Sequence, residues 1–500
     1  DSRVILGWDW FGINLTDGSD LLVIRYRDVR SGQVIKTVAI YREAGGQVIR
    51  SDEVMMTSLR CWMSPVTRIE YPVEWQINVP QIGAELVFRP SVDDQEVQSF
   101  GAIRAVWEGA GAVKGTIGGR PVEGPARGEF HGYGFILDHE DFIKPFRRRI
   151  DRHLEEFLPR RFDAAHVERF VGPSQWRHDI EAYTEMLSVP VWDLLDRGGK
   201  RWRPIFGILL LDALGVSSRP YESLISCVLE LMHAGALIVD DIEDQSLLRR
   251  GEPCVHLKYG TDVALNAGNA LYFLPGAAIL SHPLLTPEQR RRFLEIKEQM
   301  CIESHSGQAA DIFRSRRMTV ANLSRLINDD IESRILQMYA FKTAAATSGG
   351  AECAAILANA DKKVTKACVQ FARMFGVAYQ IVDDVHNFSR SPGWRKVTGE
   401  DVANGKLTYV IARAIRQLDP SASARLREIL CSPELRGRPQ VVEEAVEYVY
   451  RSGALAEARE TAKRMVEDGW DSLSPCLRPS EPKIQLYAMC LKLIDLAYDN

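Results

Sequence analysis

The chain has 500 residues, 46% of them hydrophobic and 26% charged, and a formal net charge of −5. That length calls for two or three domains, the composition supports sizeable cores, and the charge excludes a general nucleic-acid binder. No apolar run reaches the roughly 18 residues of a membrane span and no secretory leader is visible, so no stable membrane insertion is expected. Nine scattered cysteines without a CxxC pair read as reduced thiols of a cytoplasmic protein. The sequence begins at Asp1 rather than Met, and the natural N-terminus is expected further upstream.

Residues 1–140 read as β structure. Segments 21–27 (LLVIRYR), 34–41 (VIKTVAIY) and 84–90 (AELVFRP) alternate apolar and polar residues with the period of half-buried strands. Thr16-Asp17-Gly18, Ala44-Gly45-Gly46 and Ile117-Gly118-Gly119 supply turns. The pattern fits a β-sandwich or a calyx-like barrel. Trp8, Trp10, Trp62, Trp75 and Trp107 all fall here, either as core packing or as the lining of a pocket for an apolar ligand.

The stretches 8–27, 71–80 and 106–135 resemble the C-terminal part of the carotenoid 1,2-hydratase family, whose fold is lipocalin-like. The resemblance covers about residues 5–137 and implies a domain that binds an apolar molecule or adds water to a polyene. The family's first half is absent. Its usual Glu-Leu-Thr-Gly-Tyr ending reads Glu129-Phe130-His131-Gly132-Tyr133. Asp9 and Glu108, beside tryptophans, are candidates for protonated acids in an apolar pocket, with strand-end or loop hydrogen bonding as the plainer reading. A scaffold or binding role therefore stands beside a catalytic one.

A charged, helix-prone junction follows over 141–165, with a basic cluster at Arg147–Arg149 that reads as a solvated helix face. From there the apolar spacing is helical, as in 354–382, and no βαβ alternation occurs. Residues 166–500 are expected to form an all-α domain.

Its chemistry begins at Gly198-Gly199-Lys200-Arg201-Trp202-Arg203-Pro204, where glycines and cations suggest an anion site. Next, the apolar run Leu231–Val239 ends in Asp240, Asp241, Glu243 and Asp244, with Arg249 and Arg250 following. Asp240 and Asp244 are i and i+4, so they share a helix face. Such carboxylates are costly to bury without a cation. They suit Mg²⁺, which completes its shell with waters and substrate phosphates, and arginines fit phosphate oxygens. The design repeats at 375–387, where an apolar helix ends in Asp383-Asp384, with Asn387 one turn on, and Lys396, Asp401 and Gly405-Lys406-Leu407-Thr408 follow. Two such acid pairs, each beside cations, read as a diphosphate-handling site.

Together with GQAAD (307–311) and Lys342-Thr343, these motifs resemble the trans-isoprenyl diphosphate synthases, or polyprenyl synthetases, over 145–500. The resemblance implies an all-α, homodimeric enzyme, paired through this domain, that joins isopentenyl diphosphate to an allylic prenyl diphosphate with up to three Mg²⁺ ions. It implies that Asp240, Asp241 and Asp244, opposed by Asp383 and Asp384, hold the metal. Arg249, Lys342, Thr343, Gln380, Lys396 and Lys406 would contact the allylic diphosphate. Gly199, Lys200, Arg203, His233 and Arg250 would bind isopentenyl diphosphate. Asp240, Asp241, Asp244, Lys342 and Asp383 are the implied catalytic set. Asn387 stands where the family usually has Asp, which points to a weaker second metal site, and Asn269 where it often has Asp.

Chain length is read from the helix before Asp240. Family members that stop at fifteen carbons tend to carry an aromatic four or five residues upstream; here Ala236 and Gly235 leave the tunnel open, with Met232 near its floor. A product of twenty carbons or more is expected. A decoy, Asp329-Asp330-Ile331-Glu332-Ser333, nearly matches a terpene-cyclase metal motif but reads as a solvated helix start. A class I terpene cyclase, or a two-step enzyme whose β domain cyclises or hydrates the product, is the alternative to the transferase. A non-enzymatic regulatory subunit is a third reading, opposed by the intact first acid motif.

Overall fold

The computed structural model describes residues 6–29, 32–65, 69–99, 104–133, 139–328, 330–389, 398–478 and 480–495. The chain divides into two compact units, 1–142 with 479–488, and 143–478 with 489–500.

Within the first unit, the described residues between 6 and 131 form a single antiparallel sheet. Its strands are β1 (Leu6–Asn14), β2 (Asp20–Asp28), β3 (Val34–Arg42), β4 (Val48–Ser51), β5 (Met55–Met63), β6 (Glu70–Val79), β7 (Ala84–Pro90), β8 (Glu96–Ser99), β9 (Arg104–Ile117) and β10 (Arg120–His131). The order is β4-β3-β2-β1-β10-β9-β7-β6-β5, with β8 on β9. Arg25 of β2 donates to the Met56 carbonyl of the far edge strand at 3.1 Å, so the sheet curls upon itself. This is the calyx-like alternative, not the sandwich, and its seam lies between β4 and β5. The expected turns close their hairpins. Gly118 and Gly119, at φ 55° and 74°, form the two-residue β9–β10 link, where a turn matching strand twist needs positive φ at both positions.

Alternation puts Asp9, Phe11 and Ile13 of β1 inside. Phe11 meets Phe88 at 5.1 Å and Trp107 stacks on Phe130 at 4.8 Å, with Trp75 beside both Phe11 and Phe130. Trp75 and Trp107 are therefore core packing. Trp8 stacks on His131 at 3.8 Å, and its Nε1 donates to Glu129 at 2.9 Å. The acid readings change here. Asp9 is wholly buried, but Arg25 Nε donates to its Oδ2 at 2.9 Å, Tyr133 Oη donates to its Oδ1 at 2.7 Å, and Arg27 lies at 3.4 Å. It is the centre of a buried ion-pair cluster. Glu108 is exposed on β9, not buried as an acid in an apolar pocket would be. A carboxylate facing two guanidinium groups inside a barrel is strongly destabilising to remove, because the cations stay behind.

Among its described residues, the second unit is helical apart from a two-residue pairing of Leu248–Arg249 with Glu252–Pro253. The helices that build the site are α1 (Trp202–Ala213), α2 (Glu222–Glu243), α3 (Thr261–Ser281), α4 (Pro287–Arg317), α5 (Ile331–Lys342), α6 (Ala344–Leu357), α7 (Lys362–His386), α8 (Glu400–Ala403) and α9 (Tyr409–Gln417). α2 is apolar on nearly every face and buried along most of its length, as a core helix must be. Among the described residues, α2 with the turn before it and α3 are long and apolar enough to cross a membrane by composition alone. The junction forms a helix, His139–Phe157, in which Arg149 donates to Glu222 at 3.0 Å.

Asp9→Ala should cost the β unit ~3–5 kcal/mol. Hydrogen exchange on the full chain checks this: Phe11 and Trp75 amides should lose protection while α2 amides keep theirs.

Candidate active site

α2 runs buried until its last turn, where Asp240, Glu243 and Asp244 emerge beside α4, α5 and the segment before α9. Gln308 Nε2 of α4 donates to Asp240 at 2.9 Å and to Glu243 at 2.7 Å. Lys342 Nζ, at the end of α5, donates to Asp240 at 3.2 Å and to Asp311 at 2.7 Å. Lys406 Nζ donates to Asp244. Gly307 permits this meeting, since a Cβ there would lie 2.4 Å from the Lys342 backbone nitrogen. The sequence motifs GQAAD, KT and GKLT thus land on one carboxylate cluster.

The charges are unequally placed. Burial works against the Asp240 carboxylate, but Lys342, Lys406 and Arg249 hold it well below the usual range. Asp244 is pushed up, first by burial and then by the charge on Asp240. Lys342 is also raised, since Asp240 and Asp311 outweigh the burial that opposes its charge. Asp241 differs from its neighbours: it is 1% exposed, turned inward and gripped by Arg249, whose Nε lies at 2.9 Å. Arg249, expected on the diphosphate, is held on that carboxylate.

The second acid pair also splits. Asp383 is exposed at the end of α7. Asp384 is buried; its Oδ2 accepts from Tyr339 Oη and its Oδ1 from Gln380 Nε2 at 3.1 Å. Gln380 Oε1 in turn accepts from Thr343 Oγ1 at 2.6 Å. Thr343 follows Lys342, so this chain of contacts ties the end of α7 to the first acid cluster. Asn387 is buried too, and its Oδ1 accepts from the Asp401 amide at 3.1 Å. Lys396 lies outside the described residues.

The cationic side forms around α1. Arg203 donates to His233 Nε2 at 3.2 Å, and its guanidinium covers the Trp202 ring at 4.4 Å. Burial, followed by Arg203 and Arg250, drives His233 well below its usual range, so it is a neutral acceptor. Arg250 donates to the Leu194 carbonyl at 3.2 Å and to that of Gly198. Gly199 leaves room for it: a Cβ there would sit 2.9 Å from the Arg250 guanidinium. Lys200 is exposed, 5.5 Å from the Tyr379 ring. Burial lowers the Arg203 guanidinium, against the nearby charges of Tyr379, Glu230 and Asp383. Arg201, counted among the anion-site cations, turns inward to Glu230 at 2.6 Å and Asp151 at 3.0 Å.

One further reading changes. Gly235 faces α3, where a Cβ would lie 2.7 Å from the Gly268 carbonyl and 2.9 Å from Leu271 Cβ. Its smallness serves helix packing, while Ala236 is half-buried. In the decoy, Glu332 is occupied by Arg416 at 2.9 Å and Arg413 at 3.2 Å, and Asp330 precedes α5; Asp329 lies outside the described residues. Gln308 and Asp311 join the cluster although the sequence supplied only their motif, and nothing in the sequence marked Tyr339.

Among the described residues, no three His, Cys, Asp or Glu side chains converge closely enough to hold an ion alone. The donor set nevertheless fits Mg²⁺, which binds through one or two carboxylates and takes its other ligands from water and phosphate.

Residues 184–449, more than half the chain, match the polyprenyl synthetase family model, and residues 3–133 match the AttH-like family. The chain belongs to the polyprenyl synthetase family, and its helical unit is that of an isoprenyl diphosphate synthase-type enzyme. It is 30% identical to a geranylgeranyl diphosphate synthase of Methanosarcina mazei over 61% of this chain and 88% of that protein. It is also 30% identical to a short chain isoprenyl diphosphate synthase of Methanothermobacter thermautotrophicus, over 54% and 78% respectively. The geranylgeranyl pyrophosphate synthetase structure from Pyrococcus horikoshii shares the fold, with a TM-score of 0.58 at 23% identity over 71% of this chain and 99% of that one.

Gly235→Ala should destabilise the α2–α3 contact by ~1–3 kcal/mol through overpacking, seen as a lower urea midpoint. A glycine lining an open tunnel would tolerate the methyl group with no such loss.

Proposed function

We propose that the enzyme condenses isopentenyl diphosphate with an allylic prenyl diphosphate, in the presence of Mg²⁺, to a linear prenyl diphosphate of twenty carbons or longer. The observation that carries this is the convergence of Lys342 and Lys406 on Asp240, Asp244 and Asp311, with Asp383 at the end of the helix that Thr343 ties to Lys342.

Asp240, Asp244 and Asp383 would hold the metal. When bound, it neutralises the diphosphate and absorbs charge as the allylic carbon–oxygen bond breaks. Lys342 and Lys406 already stand on those carboxylates, so each can turn toward a phosphate oxygen without leaving the cluster. Such preorganised donors stabilise the leaving group where its charge develops. Each ionic hydrogen bond contributes ~1.5–3 kcal/mol, so several supply much of the roughly 8 kcal/mol or more that enzymatic rate enhancement requires. Arg203, Arg250, Lys200 and the neutral His233 would hold isopentenyl diphosphate, with its alkene toward the allylic cation. The apolar length of α2 keeps water from that cation. Carbon–carbon bond formation leaves a new cation, which loses a proton to the departed diphosphate. A cyclase has no need of the Arg203–His233 pocket, and its presence favours the transferase.

The outer faces of α3 and α4 support a homodimer. Leu265, Phe273, Leu280, Ile302 and Phe313 are exposed there, Phe273 by 72%, and apolar patches of this kind mark interfaces. The nine free cysteines support a reducing, cytoplasmic location.

Purified enzyme given isopentenyl and dimethylallyl diphosphates with Mg²⁺ should yield prenyl alcohols of twenty carbons or more only after phosphatase treatment. Asp240→Ala should lower turnover at least 100-fold, about 3 kcal/mol in barrier height. Arg203→Ala should raise KM for isopentenyl diphosphate about tenfold. Terpene hydrocarbon or alcohol before phosphatase treatment would refute the reading, as would farnesyl diphosphate as the sole product.

A further inference from the structure

Tyr339 lies on α5, three residues before Lys342, and is 3% exposed. Its hydroxyl donates to Asp384 and accepts from the Tyr409 amide at 2.9 Å. One hydroxyl can serve both, because it carries a proton and lone pairs. Tyr409 opens α9 directly after Lys406-Leu407-Thr408. The other end of this arm is fastened to α7 as well: the Asn387 carbonyl accepts from the Gly399 amide at 2.8 Å, and Asn387 Oδ1 accepts from the Asp401 amide at 3.1 Å. The Lys406 amide then donates to the Asp401 carbonyl at 2.8 Å. Residues 399–409 are thus tied down at both ends, with Lys406 between the ties and its Nζ on Asp244.

We propose that Tyr339 is a positioning residue: through Asp384 and the Tyr409 amide it fixes the arm that carries Lys406, so that of the second acid cluster only Asp383 faces the diphosphate. Asp384 and Asn387 serve the arm. The expectation that Asp384 is a metal ligand gives way to this one, and the Asn at 387 needs no charge, because its task is to accept from an amide. The inference rests on the reading of Lys406 as a contact of the allylic diphosphate. It places the effect of Tyr339 on that substrate and not on isopentenyl diphosphate, whose cradle is Arg203, His233 and Arg250.

The test uses the full chain with Tyr339→Phe, which removes the hydroxyl and keeps the ring. Hydrogen exchange without substrate should show the Tyr409 amide losing about tenfold in protection, with α2 amides unchanged. KM for the allylic diphosphate should rise about tenfold, while KM for isopentenyl diphosphate stays within about twofold. Asp384→Asn, which keeps an acceptor for the Tyr339 hydroxyl, is the second variant. By calorimetry with Mg²⁺ and an unreactive allylic diphosphate analogue, it should bind within about threefold of the parent, whereas Asp383→Asn should lose about tenfold or more. Equal rises in both KM values, unchanged Tyr409 exchange, or an Asp384→Asn loss as large as that of Asp383→Asn would overturn the proposal. A parent enzyme with no prenyl transfer, but with the exchange effect present, would refute the functional reading and leave the clamp standing.

Discussion

Charge balance at the last turn of α2 is the constraint on which the helical unit depends. Asp240, Asp241, Glu243 and Asp244 gather at a helix C-terminus, where the macrodipole already disfavours negative charge, and part of the group is buried. The fold answers with one partner from each neighbouring element: Gln308 from α4, Lys342 from α5, Arg249 from the turn beyond α2, and Lys406 from the arm before α9. Each partner ties its own segment to the end of α2, so the charge pattern and the arrangement of these segments are one design. The balance is also replaceable. Under the proposed function, the lysines standing on these carboxylates would pass to phosphate oxygens as a divalent metal took their place, leaving neither set of charges uncompensated in a low dielectric.

The β unit solves a related problem differently. Asp9 sits inside the curled sheet with Arg25, Arg27 and Tyr133, above a packed cluster of Phe11, Trp75, Phe88, Trp107 and Phe130. Its carboxylate locks β1, β2 and the end of β10 together, where the sequence had allowed a proton donor for polyene chemistry. The unit has the curled sheet that its family resemblance implied, and the acid that suggested chemistry holds that sheet in shape.

Much of the site was legible because its motifs are dense and their chemistry is narrow. Acid pairs at helix ends, arginines one turn on, and glycines beside cations have few other uses together, and the structure brings Asp240, Asp244, Lys342, Gln380 and Lys406 into one linked group. Legibility failed where a residue type fits two tasks. Gly235 leaves space in a tunnel or lets two helices touch, and only the Gly268 carbonyl 2.7 Å from its missing Cβ decides between them. Arg201 and Arg203 stand two residues apart in one motif, yet one pairs with Glu230 in the core and the other with His233. Asp383 and Asp384 look equivalent in sequence, but adjacent helical residues point about 100° apart, so one is exposed and the other meets Tyr339. Tyr339 itself carried no signal, because a single tyrosine in an apolar helix reads as core.

The central claim is that carboxylates from α2 and α7 hold one metal–diphosphate cluster between them. A crystal structure with Mn²⁺ in place of Mg²⁺ and an unreactive allylic diphosphate tests this most directly, through the anomalous signal of the metal. The account predicts ions about 2.0–2.2 Å from carboxylate oxygens of Asp240 and Asp244 on one side and Asp383 on the other, with Lys342 and Lys406 turned to phosphate oxygens. Ions confined to α2, with Asp383 turned away to solvent, would contradict it.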